Sequence, residues 1–104
     1  MPSRIDLLNE MLLKEPEDPF LNYAMALEFS KNGEPLKAIG ILEKLIAKDE
    51  NYLAAYYQLG KLLETSAQKE KAMSIYRNGM AVAKKQNNSK TFSELNEALQ
   101  NLEE

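Results

Sequence analysis

The same pattern of large and small residues occurs twice in this sequence, at an offset of 34 residues, the distance that separates Ala38 from Ala72. Four further pairs match in size at that offset: Met25 with Leu59, Ala26 with Gly60, Phe29 with Leu63, and Leu42 with Tyr76. A period between about 20 and 50 residues is typical of solenoids and other repeat arrays. Such a chain folds by stacking copies of one unit, each of which buries its apolar face against its neighbour.

Apolar and small residues within the second unit recur at helical spacing, in two stripes. The first stripe contains Tyr56, Leu59, Gly60 and Leu63, and the second contains Ala72, Tyr76 and Gly79. Two antiparallel helices pack closely where small residues occupy the crossing, and Gly60, Ala72 and Gly79 supply them. No stretch alternates apolar and polar residues as a strand would. The sequence therefore predicts an all-α fold.

Capping residues indicate where the helices begin and end. Asp18 before Pro19 is typical of an N-cap with proline at the first helical position, and Gly33 predicts a left-handed stop before the next helix. Thr91 followed by Glu94 predicts a capping box before the last helix. Together the signals predict six helices, over 3–14, 19–32, 35–48, 53–65, 69–86 and 90–102.

The second unit resembles a tetratricopeptide repeat almost throughout, in the run Tyr56-x2-Leu59-Gly60-x2-Leu63, Ala72-x3-Tyr76 and Gly79. The first unit is a looser copy, with Asn22 where the family prefers a large aromatic residue. Pro16 occupies the position of the family's repeat-ending proline, which the two later positions, Glu50 and Lys84, lack. The resemblance covers about residues 3–86 and implies a right-handed helix-turn-helix solenoid of about six antiparallel-paired helices.

A chain of 104 residues has the length of one domain. We expect a single domain over 1–104, because about three stacked units are needed for a stable array. Its predicted parts are an N-terminal half repeat over 3–16, repeat 1 over 19–52, repeat 2 over 53–86, and a C-terminal capping helix over 87–104.

The composition excludes most catalytic chemistry. The sequence contains no cysteine and no histidine, which rules out thiolate nucleophiles, Cys/His zinc sites and a Ser-His-Asp relay. The acidic turns at 15–18 and 49–51 do not follow the ligand spacing of a calcium loop. We therefore expect a protein that is not an enzyme, with no cofactor and no metal.

The charge pattern and the hydropathy argue against nucleic-acid and membrane partners. The net charge of −3 provides no attraction for a phosphate backbone or an anionic membrane. The apolar residues near the N-terminus are interrupted by Asp6, Asn9 and Glu10, which is typical of an amphipathic helix and not of a signal peptide. No window approaches the roughly 18 apolar residues of a membrane span. These features predict a cytoplasmic protein.

The concave side of a repeat array is lined by the first helix of each pair, and residues off the packing stripe are offered there to a partner. The resulting candidate partner-binding residues are Phe20, Tyr23, Leu27, Lys31, Tyr57, Lys61 and Glu64. Two interpretations stay open for Phe20, Tyr23 and Leu27. Either helix 3–14 or the C-terminal helix covers them, or they bind an apolar or amphipathic helix, or an extended peptide, of an unidentified protein.

Some members of the family hold an acidic peptide tail in a clamp of lysine, arginine and asparagine on the groove helices. The positions that match the clamp hold Tyr23 and Leu27, then Gln58, then Asn88 and Phe92. The cations of the clamp are absent, so the resemblance does not imply that ligand.

The first helix suggests a different function. Helix 3–14 carries Ile5, Leu8 and Leu12 along one side, and Leu7 and Met11 along another. It corresponds to the second half of a repeat and lacks the preceding helix that would bury one of these sides. The alternative prediction is therefore a self-assembling subunit, a homo-oligomer that associates through this helix, or the docking of a neighbouring domain.

Overall fold

Six helices form the part of the chain that the computed structural model describes, residues 2–104, and no strand occurs there. They are α1 (Arg4–Lys14), α2 (Pro19–Lys31), α3 (Pro35–Lys48), α4 (Leu53–Thr65), α5 (Lys69–Lys85) and α6 (Ser89–Glu103). The all-α prediction is confirmed, and no predicted helix end is wrong by more than one residue.

Each helix packs on the next one along the chain, from α1 on α2 through to α5 on α6. The array measures 45 × 29 × 20 Å. Packing between consecutive elements, extended along one axis, is the architecture of a helical solenoid. The pairs α2–α3 and α4–α5 are the two units that the 34-residue offset relates.

The main core lies between α3, α4, α5 and α6, and its largest wholly buried side chains are Tyr76, Leu42, Leu59, Leu63 and Leu95. Both predicted stripes of the second unit are buried there. A smaller cluster of Leu8, Leu21, Ala24 and Met25 holds α1 against α2. At the crossing of α4 and α5, a β-carbon added to Gly79 would lie 2.7 Å from Cβ of Tyr56, so only glycine fits without a shift.

Three helices end in a left-handed residue. Gly33, with φ of 79°, ends α2 as predicted, and Ala67 adopts φ of 60° at the equivalent position after α4. Asn87, with φ of 57°, ends α5. In each case the next amide donates a hydrogen bond of 2.9 Å to a carbonyl five residues earlier, as in the Schellman motif: Glu34 N to Phe29 O, Gln68 N to Leu63 O, and Asn88 N to Ala83 O.

Of the two predicted N-caps, the one of α2 is confirmed and the one of α6 is wrong. The Asp18 carboxylate accepts a hydrogen bond of 2.9 Å from the Leu21 amide, which confirms the N-cap of α2. The capping box at Thr91 is wrong, because α6 already begins at Ser89 and the Asn88 side chain accepts a 3.0 Å hydrogen bond from the Thr91 amide. Asn87 closes α5 in the left-handed conformation, so the chain reverses early and Asn88 becomes the first residue able to cap.

Candidate functional site

Side chains of α2, α4 and α6 that are at least partly open to solvent are grouped here as the α2–α4–α6 face. They are Phe20, Tyr23, Leu27 and Lys31 of α2, Tyr57, Lys61 and Glu64 of α4, and Glu94, Glu97 and Asn101 of α6. The link between α2 and α4 is a tilted pair of rings, Tyr23 and Tyr52, whose centroids are 5.5 Å apart. Between α4 and α6 lies a cleft, which is lined by Tyr57 of α4 and Asn101 of α6. The face thus combines the first helix of each full repeat, α2 and α4, with the C-terminal helix α6.

Three of the predicted partner-binding residues form one cluster on α4. The Lys61 ammonium lies 5.4 Å from the ring centroid of Tyr57 and 3.7 Å from the carboxylate of Glu64. Glu64 also accepts a hydrogen bond from the hydroxyl of Tyr76, a residue of the core. Glu64 is therefore held in place from inside the protein, and Lys61 lies beside it.

The cleft between α4 and α6 has a volume of about 120 Å³. Tyr57 and Lys61 form its α4 side, and Glu94, Glu97 and Asn101 form its α6 side. Sequence reasoning missed the α6 residues, because α6 was interpreted only as a solvating cap. Their spacing of i, i+3 and i+7 was the available signal, since it places them on a different side of α6 from its buried leucines.

On α2, three predicted residues are open to solvent. Phe20 is 63% exposed and Leu27 is 37% exposed, and Lys31 is exposed at the end of the helix. The interpretation that other helices cover these side chains is wrong for Phe20, because α1 packs on the side of α2 that carries Leu21 and Ala24 and leaves most of Phe20 exposed. Leu27 is partly covered.

Tyr23 is half-buried and differs from its two neighbours on the face. Its ring packs against Tyr52, which precedes α4, and the side chain of Gln58 in α4 lies near its hydroxyl. Burial raises the pKa of Tyr23, and the polar side chain of Gln58 opposes part of that rise. Tyr23 therefore joins the two repeats and presents only part of its ring to a partner.

The side of α1 away from α2 carries exposed apolar side chains. Leu7 is 46% exposed and Met11 is 52% exposed, whereas Leu8 is buried against α2. Met11 and Phe20 line a shared depression of about 540 Å³. We call Leu7, Met11 and Phe20 the N-terminal apolar patch. The predicted division of α1 into a packed side and an open side is confirmed.

Two ion pairs connect neighbouring helices at the two ends of the array. Arg4 pairs with Glu28 at 2.8 Å and ties α1 to α2, and Arg77 pairs with Glu103 at 3.3 Å and ties α5 to α6. Within residues 2–104, no three acidic side chains group in a way that could hold a metal ion. No helix in that range is long and apolar enough to cross a membrane.

The structure is similar to solved structures of repeat proteins. No protein-family model matches the sequence, and a search of curated proteins finds no match. A tetratricopeptide repeat domain protein from Salinibacter ruber, solved by NMR, is 38% identical with a TM-score of 0.81, over 85% of this chain and 89% of that chain. A crystal structure of a tetratricopeptide repeat domain protein from the same organism is 36% identical with a TM-score of 0.79, over 83% of this chain and 97% of that one. A protein from Bordetella parapertussis shares the fold, with a TM-score of 0.85 at 22% identity, over 98% of this chain and 89% of that one.

Proposed function

This chain belongs to the tetratricopeptide repeat family, a fold of protein-interaction modules that is generally non-catalytic, and we propose that it binds a peptide or helix of a partner protein along the α2–α4–α6 face. In this proposal the face is the concave groove of the solenoid. The chain is divided into a half repeat over 3–16, full repeats over 19–52 and 53–86, and a cap over 87–104. The cytoplasmic location stays a prediction.

The observation that carries the proposal is that contacts already fix the side chains of Tyr57, Lys61 and Glu64. On α2, Phe20 and Leu27 are open to solvent. Binding costs conformational entropy when flexible side chains become fixed at an interface. Lys61 already lies between an aromatic ring and a carboxylate, and Glu64 is held by the core, so this cost is reduced. Tyrosine adds a large rigid contact area with a polar end.

The arrangement of polar and apolar residues favours an amphipathic segment as the ligand. Phe20 and Leu27 offer apolar contact at the α2 end of the face, whereas Glu94 and Glu97 offer hydrogen-bond acceptors at the α6 end. The full set of proposed contact residues is Phe20, Tyr23, Leu27, Lys31, Tyr57, Lys61 and Glu64. We expect an affinity of order micromolar, which corresponds to about −8 kcal/mol.

The test begins with affinity capture from a lysate of the native organism, followed by titration of the captured protein, or a synthetic fragment of it, by calorimetry. We expect the Leu27→Ala/Tyr57→Ala variant, which leaves the N-terminal apolar patch intact, to bind at least about tenfold more weakly, because a few large interface side chains dominate binding energies. Leu36→Ala is the matched control, since Leu36 is 72% exposed on α3 and lies off the face. Equal binding by the double variant and the wild type would contradict the proposal.

Self-association through α1 is a second candidate function, which the exposure of Leu7 and Met11 favours. Two copies that cover this patch remove apolar surface from water, at about 25 cal/mol per Å². Sedimentation equilibrium up to high micromolar concentration tests it. We expect Leu7→Gln/Met11→Gln to dissociate the oligomer and Leu36→Gln to leave it intact. A wild-type protein that remains monomeric over the whole range rules this candidate out.

A further inference from the structure

A pocket of about 610 Å³ lies between the turn that joins α1 to α2 and the second half of α3. Its walls come from two segments of the chain, with Pro16, Pro19 and Asn22 on one side and Ile41, Lys44 and Leu45 on the other. No residue of α4 or α6 lines it, so the pocket is separate from the α2–α4–α6 face.

The offset between the repeats explains why the pocket exists. Tyr56 stands at the position equivalent to Asn22, and Glu50 at the position equivalent to Pro16. The Tyr56 hydroxyl donates a hydrogen bond of 2.7 Å to the carbonyl of Glu50. In the first repeat, the side-chain amide of Asn22 donates a hydrogen bond of 3.0 Å to the carbonyl of Pro16. Asn22 thus preserves the hydrogen bond of the second repeat and lacks the aromatic ring.

The second repeat also shows how an aromatic ring fits at this place. Tyr56 is only 3% exposed, and its Cγ would lie 3.1 Å from a β-carbon on Gly79, so the ring rests on that glycine. Leu45 is the equivalent of Gly79 and is buried. Its side chain fills the space nearest to α3 and forms an apolar floor. The remaining volume lies within the range of about 300 to 1,000 Å³ that is usual for ligand pockets.

The rim of the pocket carries charged groups from both segments. Lys48 forms an ion pair with Glu17 across the rim. Lys44 forms no ion pair with any residue in the described range 2–104, and Asp49 lies at the end of α3. Asp49 likewise forms no ion pair in that range, so the rim carries two cations and two carboxylates, with one of each sign outside the ion pair. Of these groups, Lys44 is the one that can attract a carboxylate beside a ring in the pocket.

We propose that this pocket binds an aromatic side chain of a partner protein, in the space left by the missing ring at Asn22, with an acidic residue beside it that pairs with Lys44. Aromatic side chains are the commonest anchors at protein interfaces, because one ring buries a large area. The site is a second contact point, lined by no residue of α4 or α6. It can exist whether or not the α2–α4–α6 face binds a peptide.

The test is a methyl NMR titration of the full chain with the capped dipeptide N-acetyl-Glu-Tyr-amide. We expect saturable shifts at the Ile41 and Leu45 methyl groups, and none from N-acetyl-Glu-Ala-amide, which lacks the ring. N-acetyl-Gln-Tyr-amide should bind about threefold more weakly, the usual effect of one exposed ion pair. Shifts confined to residues around Tyr57 would overturn this inference and still support the groove.

Variants of the pocket complete the experiment. Asn22→Tyr should abolish the shifts, because the new side chain fills the space. Lys44→Gln should weaken the Glu-Tyr peptide about threefold and leave the Gln-Tyr peptide unchanged. Lys85→Gln is the charge-matched control, since Lys85 is exposed at the end of α5 and away from the pocket.

Three outcomes overturn the inference: no saturable shift, binding that survives Asn22→Tyr, or L-phenylalanine binding as tightly as the peptide, which would identify a free small molecule as the ligand. Circular dichroism checks that Asn22→Tyr folds. If it does not fold, the Lys44→Gln comparison decides the outcome, because Lys44 is exposed and its substitution disturbs no packing.

Discussion

Gly60 and Tyr76 approach so closely that a β-carbon on Gly60 would lie 2.2 Å from Cε1 of Tyr76. The contact joins α4 to α5 at the centre of the second repeat, where Tyr76 is wholly buried. Its hydroxyl donates a hydrogen bond to Glu64, which lies beside Lys61 on the α2–α4–α6 face. The close packing of one glycine against one ring thus sets the position of a charged group on the proposed binding surface.

Substitution of Gly60 by alanine should destabilise the protein. The ring of Tyr76 must move to admit a methyl group, and overpacking of this kind costs about 1 to 3 kcal/mol. A gain in helix propensity of about 1 kcal/mol offsets part of this cost. Gly40→Ala is the control, because nothing lies within 4 Å of a β-carbon at Gly40 in α3. It should stabilise the chain by about 0.5 to 1 kcal/mol.

Urea denaturation of both variants measures the two effects against the wild type. The changes in the free energy of unfolding should have opposite signs. Both substitutions replace glycine by alanine within a helix, so the difference between them measures the cost of packing at Gly60 and not helix propensity. A Gly60→Ala variant at least as stable as Gly40→Ala would show that the crossing tolerates a side chain.

Ionisation of Tyr76 should reduce the free energy of unfolding at alkaline pH. Burial, the hydrogen bond to Glu64 and the negative charge of that carboxylate all raise the pKa of Tyr76 well above its ordinary value of 10.0. The unfolded chain loses this proton at about pH 10, whereas the folded chain still holds it. The contribution of Tyr76 to stability is therefore constant below pH 10 and falls above it, by up to about 1.4 kcal/mol per pH unit.

Chemical denaturation between pH 8 and pH 11 checks this dependence. Tyr76→Phe should make the alkaline fall less steep, because it removes the largest contribution. It should not abolish the fall, since burial also raises the pKa of Tyr23, Tyr52 and Tyr56. An unchanged slope in Tyr76→Phe would mean that Tyr76 ionises equally in both states.

The two equivalent helix ends at Gly33 and Ala67 should respond in opposite directions to substitution. A left-handed conformation costs a residue with a side chain about 1 to 2 kcal/mol, and glycine adopts it freely. Ala67→Gly should therefore raise stability by about 0.5 to 1 kcal/mol, and Gly33→Ala should lower it by about 1 kcal/mol. Thermal unfolding followed by circular dichroism distinguishes the two. A decrease in melting temperature for Ala67→Gly would contradict the expectation.

The cap of α6 can be assigned by a pair of alanine substitutions. Asn88→Ala removes the side-chain acceptor of the Thr91 amide and should cost about 1 kcal/mol. Thr91→Ala leaves that hydrogen bond in place, because the amide belongs to the backbone, and should cost less. Calorimetric melting of both variants measures the difference. A larger loss for Thr91→Ala would restore Thr91 as the capping residue.

Sequence reasoning succeeded where the interactions are local. The stripe that contains Gly60 and the N-cap at Asp18 were predicted correctly, because helical spacing and capping depend on residues a few positions apart. It failed at Thr91 because the true cap depends on the left-handed turn at Asn87, which a sequence pattern of Ser, Thr and Glu does not reveal. Ala67 likewise adopts the turn conformation of Gly33 without the glycine that would have signalled it.

The candidate site was predicted only in part. Tyr57, Lys61 and Glu64 were identified by their register on one helix, whereas the contribution of Glu94 and Glu97 required the packing of α6 beside α4. Asn22 was recognised as a departure from the repeat pattern. Its consequence, an open pocket beside α3, became visible only when the lining residues were brought together.

The sequence by itself determined the period of the array, the six helices and the small residues at the crossing of α4 and α5. These features follow from hydrogen bonds and side-chain spacing within one or two helices. Only the tertiary structure decided which side chains remain available to a partner. Phe20 is open while Tyr23 is half covered by Tyr52, from the next repeat, because the exposure of a side chain depends on neighbours that are distant in sequence.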